Sequence, residues 1–317
     1  MKLATLNDGS RDGQLVVVSR DLCTAHYATG IAGQLQQVLD DWNFLSPQLQ
    51  DLYDTLNHGK ARHAFALDTR QCMAPLPRAS LLAVANVSAN AAPAEVCPSD
   101  LAATLRLDFA DDLAGPHAML RCANPAQWPD FEAALAVVTA DVPQGATPER
   151  ALDGVRLLML ANHWHLRQLP GLIGRPQTAF SPVAVTPDEL VFAGSSVWAR
   201  GRLNLALQCS LNGRRFGLVD AAQDMQLDFG QLIAHLCQTR RLRAGAIISS
   251  GEVRGADASQ GNTSVASRRA QELQQHGVAT TPWLAQGDSL RIEMKGRDGL
   301  SVFGALDHDV QVGNPLP

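Results

Sequence analysis

Apolar positions along this chain change period twice. Leu15-Val16-Val17-Val18 is a continuous apolar run of strand length, whereas Ile31, Leu35, Val38, Leu39 and Trp42 recur at helical spacing. Ser46-Pro47 then predicts a second helix, with Ser as N-cap and Pro in its first turn. Its apolar stripe is Leu49, Leu52, Tyr53 and Leu56, and Gly59 is the expected stop. These elements read as a small α/β domain over residues 1–74, followed by a larger domain over 75–317. From about residue 130 strands dominate. Ala133–Ala140 and Val155–Ala161 are apolar enough for buried strands, with a short helix opened by Thr147-Pro148 between them. Leu203, Leu205, Leu207, Cys209 and Leu211 alternate, and Asn212-Gly213 supplies a hairpin turn. Phe229, Leu232, Ile233 and Leu236 make one amphipathic helix. Ile292–Met294 and Val302–Ala305 flank Gly296-Arg297-Asp298-Gly299, a second hairpin signal.

Composition narrows the class. The chain has 317 residues, 46% of them hydrophobic, enough for one large core and a smaller unit. A net charge of −5 and a pI near 6.0 give no electrostatic case for nucleic acid. No apolar run has the length of a bilayer span, so no membrane association is expected. The start, M-K-L-A-T-L-N-D-G-S, has no long apolar region, and the six cysteines are scattered without a C-x-x-C pair. Reduced thiols and a cytoplasmic location are the expectation.

The candidate chemistry lies between Asp130 and Arg167. His163, His165 and Arg167 alternate, so on a strand they share one face. If Glu132 meets that face, two imidazoles and one carboxylate come together. Such a set suits a divalent transition metal such as zinc or iron better than magnesium or calcium. The alternative is that His-x-His serves packing and hydrogen bonding, with no cofactor. The remaining histidines, His26, His58, His63, His117, His235, His276 and His308, show no ligand spacing, and Trp164 is expected to point away from His163 and His165.

The runs D-F-E-A-A-L-A-V-V-T from Asp130 and A-N-H-W-H-L-R to Arg167 resemble the metal-binding core of the fumarylacetoacetate hydrolase family. F-G-Q-L-I-A-H-L at 229–236, R-I-E-M-K-G-R-D-G at 291–299, M-A-P-L-P-R-A at 73–79 and the opening run extend the resemblance over nearly the whole chain. It implies an α+β, mainly β fold: a mixed-sheet β roll with a small N-terminal α/β domain, often dimeric. It also implies a metal bound by a Glu-x-Glu pair and an Asp. Here those positions read Glu132, Ala134 and His163. Arg167 matches a substrate-contacting arginine, and Arg175 stands where the family has a lysine. Glu252 stands for a substrate-binding threonine. Ser267 stands where some relatives place the Glu that orients a catalytic His. The stretch from Ser80 to Val96, which in relatives brings that His, contains none and reads as a connector.

Three functions follow from the resemblance. One is a repurposed enzyme isomerising, cyclising or decarboxylating a β-dicarbonyl or 2-oxo acid, with His163, His165, Arg167, Arg175 and Glu252 as its residues. A second is a pseudoenzyme that binds a carbonyl or carboxylate ligand, as a homodimer or in a heterodimer with an intact paralogue. The third is a hydrolase using an altered metal held by Glu132, His163 and His165.

Overall fold

The computed structural model describes residues 1–85, 105–192 and 194–313. Two sheets organise it. The larger has eleven strands and runs, edge to edge, through Phe65–Ala66, Thr24–Tyr27, Gln14–Val18, Lys2–Leu6, Ala184–Val185, Val155–Leu166, Pro129–Thr139, Ala246–Glu252, Leu81–Ala85 and Leu105–Asp108. Thr178–Phe180 pairs separately with Val155–Leu166. The second sheet has five strands, in the order Arg214–Asp220, Ala206–Leu211, Ser289–Met294, Leu306–Val312 and Leu120–Cys122. Both sheets are mixed: Ala246–Glu252 runs parallel to Leu81–Ala85, and Leu306–Val312 parallel to Leu120–Cys122. The expected mainly-β architecture is therefore present. The first 74 residues supply four strands at one side of the large sheet, joined to the rest through Lys2–Leu6 and Ala184–Val185.

Pro129–Thr139 is buried at every position, which explains its near-continuous apolar sequence. Phe131, Ala133, Leu135 and Val137 enter the core shared with the small sheet, beside Trp164, Leu207, Phe229 and Phe303. Ala134, Ala136 and Val138 enter the core on the opposite face, beside Leu82, Met159 and Phe180, under the helices. Alternation then puts Asp130 and Glu132 on that second face, where the apolar layer ends.

Four local expectations are corrected. The second helix begins at Trp42, not at Ser46, and Pro47 lies inside it. The apolar stripe extends back through Leu45 and Trp42, both packed on the second core, and that packing outweighs the backbone bond Pro47 cannot donate. Leu81–Ala85 is a central strand rather than a connector; the rest of the stretch to Val96 lies outside the described residues. The partner of Ser289–Met294 is Leu306–Val312, and Val302 and Phe303 fill the core from the intervening loop. A helix over Val265–His276, begun by Ser264 accepting from the Ser267 amide and ended by Gly277 in the left-handed region, was not expected. Elsewhere the turn chemistry is as read. Asn212 and Gly213 both have positive φ, the conformation a two-residue hairpin needs. None of the described cysteines forms a disulfide, and no helix among the described residues is long and apolar enough to cross a membrane.

Candidate active site

The two longest strands place the site. Pro129–Thr139 and Val155–Leu166 pair antiparallel with Glu132 opposite His163 and Asp130 opposite His165. Opposed residues share a face, so all four side chains project to one side, as the alternation of His163, His165 and Arg167 predicts. On the other side of Pro129–Thr139, Ser249 stands opposite Ala136 and Glu252 opposite Ala134. Beyond that, Arg106 pairs with Val84 and Asp108 with Leu82, which turns both charged residues to the same face.

Glu132 is the hub. Its Oε1 accepts from Arg167 Nη2 at 2.9 Å, while Oε2 lies 3.0 Å from His165 Nε2 and 3.8 Å from Arg106 Nη2. Burial alone would raise its carboxyl, but the adjacent His165 and the guanidinium groups of Arg167 and Arg106 hold it well below the usual carboxylate range. Arg167 also grips Asp130, with Nε at 2.9 Å and Nη2 at 2.8 Å from Oδ2. Asp130 is wholly buried and accepts the Val265 and Ala266 amides at 2.7 and 3.1 Å. It thereby ties the site to the first turn of the Val265–His276 helix, where a negative charge is favourable.

Arg175 reaches the same cluster through Asp108, at 3.5 Å. Burial, and then the charge of Arg106, lower its proton affinity, and Asp108 opposes them. Arg106 Nε lies 3.4 Å from the other oxygen of Asp108. Three buried polar atoms here have no hydrogen-bond partner: Arg106 Nη2, Asp108 Oδ1 and Arg175 Nε. Buried polar atoms are rarely left so, and their convergence marks this spot as a place for a polar ligand or water.

His163 stands apart from this charge cluster although it faces Glu132. Its Nδ1 pairs with Thr178 Oγ1 at 2.9 Å and its Nε2 with Ser249 Oγ at 2.8 Å. Burial, followed by the charge of Arg106, pushes its pKa down to about 3, so the ring is neutral. Glu252 is also spent locally. It accepts from Ser264 at 2.5 Å and Ser267 at 2.6 Å, and pairs with Arg254 Nη2 at 2.6 Å. Trp164 points to the opposite core, edge-on to His308, as expected.

Of the residues singled out in sequence, the structure thus brings together Glu132, His165, Arg167 and Arg175. It seats His163 and Glu252 in hydroxyl networks beside them. Sequence reasoning missed Arg106, Asp108 and the role of Asp130. Arg106 and Asp108 alternate with exposed Leu107 in a four-residue edge strand, too short a pattern to stand out.

A family model described as fumarylacetoacetate (FAA) hydrolase C-terminal matches residues 79–311, and one described as fumarylacetoacetase N-terminal domain 2 matches residues 1–78. The chain belongs to the fumarylacetoacetate hydrolase family. No curated protein matches it. Solved structures of the same fold include the maleylpyruvate hydrolase of Sphingobium sp. SYK-6 in complex with manganese(II) and pyruvate (17% identity, TM-score 0.66, 99% of this chain and 100% of that one). Another is the fumarylacetoacetate hydrolase of Exiguobacterium antarcticum (18%, 0.67, 98% and 99%). A third is the 5-carboxymethyl-2-hydroxymuconate delta-isomerase of Mycobacterium smegmatis (16%, 0.60, 99% and 100%). Family members of this fold thus include both hydrolases and isomerases.

The donor set here does not fit the metal cluster that family membership implies. Position 134 has no ligand atom, both nitrogens of His163 are engaged by hydroxyls, and both oxygens of Glu132 face cationic or imidazole groups. Among the described residues no group of three His, Cys, Asp or Glu is placed to hold a metal ion.

Proposed function

We propose that this family member binds a small carbonyl or carboxylate compound at the Glu132–His165–Arg167 cluster and moves protons on it. Isomerisation, cyclisation or decarboxylation of a β-dicarbonyl or 2-oxo acid is the reaction class, rather than metal-dependent C–C hydrolysis. The observation that carries this reading is the 3.0 Å contact of His165 Nε2 with Glu132 Oε2 beneath partly exposed arginines. In isomerisation or cyclisation His165 takes a proton from the carbon next to the carbonyl, Glu132 balances the imidazolium so formed, and the proton returns to the product; in decarboxylation carbon dioxide leaves and a proton is supplied to the enolate carbon. Arg167, Arg106 and Arg175 lie where negative charge on the enolate oxygen or a carboxylate would be stabilised.

The test is a panel of 2-oxo and β-dicarbonyl acids followed by enol absorbance and proton NMR. His165→Asn should remove turnover while ligand binding survives. Turnover by His165→Asn or Glu132→Gln equal to that of wild type would overturn the assignment.

A second reading is a binding or partner subunit without turnover. It is favoured by the local engagement of His163 and Glu252, two residues expected to act on substrate. Ligand-induced thermal stabilisation with no product from any member of the panel would support it. Purification with an intact paralogue would support the heterodimer form.

A further inference from the structure

His163 cannot reach Ser249 without crossing a strand. His163 belongs to Val155–Leu166 and Ser249 to Ala246–Glu252, and Pro129–Thr139 runs between them. The residues beneath this crossing are Ala134 and Ala136, the smallest side chains that still keep the strand regular. A glutamate at 134 would project into the space the imidazole now uses. Ala134 and His163 are therefore one joint change. The first vacates the room, and the second spans it with a bond at each end, to Thr178 and Ser249.

The same exchange appears on the charge side. A buried carboxylate such as Glu132, which shares Arg167 with the buried Asp130, needs further counter-charge, because desolvation otherwise drives it to its neutral form. Here Arg167 lies on one oxygen, and His165 and Arg106 on the other. Arg106 comes from the edge strand, inside the matched residues 79–311 but outside the runs that carry the resemblance in sequence.

We propose that a protein-internal network replaces the divalent ion in this chain: the Thr178–His163–Ser249 bridge fills its space, and Arg106, added beside an Arg167 that matches a family arginine, supplies positive charge at Glu132. This concerns how the site is held together, and it stands whether or not the site turns over.

Manganese(II) alone is the probe, read by calorimetric titration and by the thermal midpoint, on intact chain purified without nickel resin. Wild type should take up no manganese at millimolar concentration and should keep its midpoint in chelator. Ala134→Glu alone should lower the midpoint strongly, since it sets a second carboxylate against the imidazole. Ala134→Glu with His163→Asp should recover folding in manganese and bind one ion per chain. Adding Arg106→Met to that pair should tighten binding at least several-fold, because one competing positive charge is gone.

Stoichiometric manganese uptake by wild type that disappears in Glu132→Gln would overturn the proposal. So would manganese affinity unchanged by Arg106→Met. Should the double variant fail to fold, the wild-type titration and the Ala134→Glu midpoint still decide the outcome.

Discussion

Asp130 holds Arg167 at two points and, with the same carboxylate, caps the helix that begins at Val265. One buried residue thus joins the arginine of the site to a helix whose first residue is 135 positions beyond Asp130 itself. Removing its charge should be costly from both sides. Asp130→Asn leaves Arg167 without its nearest partner, and Asp130→Ala also strips the helix amides. By the usual cost of breaking a buried pair, Asp130→Ala should lose about 3–5 kcal/mol. Urea unfolding followed by circular dichroism measures this, and a loss below about 1 kcal/mol would show that the pair is dispensable.

Glu252 should behave as a structural anchor. Ser264, Ser267 and Arg254 all converge on it. Ser267→Ala removes one hydrogen bond to a charged group and should cost about 1.5–3 kcal/mol. Ligand affinity should be unchanged in this variant. A weakened ligand affinity with unaltered stability would instead return Glu252 to a substrate-binding role.

Burial lowers the pKa of His308 to about 4, against the pull of its bond to the Ala118 carbonyl. A histidine near 6.5 in the unfolded chain then binds its proton there first. The contribution of His308 is complete above pH 6.5 and is lost as pH falls toward 4. Between pH 7 and pH 5 the loss should be about 2 kcal/mol. Denaturant midpoints for wild type and His308→Gln at the two pH values check it. Parallel midpoints for the two proteins would refute the assignment.

Pro47 interrupts the Trp42–Asn57 helix, where its ring nitrogen cannot donate to the Asn43 carbonyl. Pro47→Ala should stabilise the chain by roughly 1–3 kcal/mol. Thermal unfolding tests this, and a lowered midpoint would mean that the ring makes a packing contribution larger than the missing bond.

Much of the architecture was legible in the chain. Apolar runs and period-3.6 patterns report burial directly, so strands over Ala133–Ala140 and Val155–Ala161, the Phe229–Leu236 helix and the Asn212-Gly213 turn could be read locally; the structure extends the strands to Pro129–Thr139 and Val155–Leu166. The shared face of His163, His165 and Arg167 also follows from alternation alone. The Val265–His276 helix escaped because its sequence is polar on most sides, with only Val265 buried. Its start is capped locally by Ser264 and also by Asp130, a residue that no local window around 265 contains.

The sequence by itself determined that His163, His165 and Arg167 share one face, and that Ala134 and His163 stand where the resemblance implies carboxylate ligands. Those are properties of spacing and of side-chain chemistry. Only the tertiary structure decided what the changed residues do. Strand order set His163 across Ala134 to Ser249 and carried Arg106 in from the sheet edge to Glu132. Hydrogen bonds and charge pairs depend on distances between strands, and those distances are fixed by sheet pairing and by both cores together.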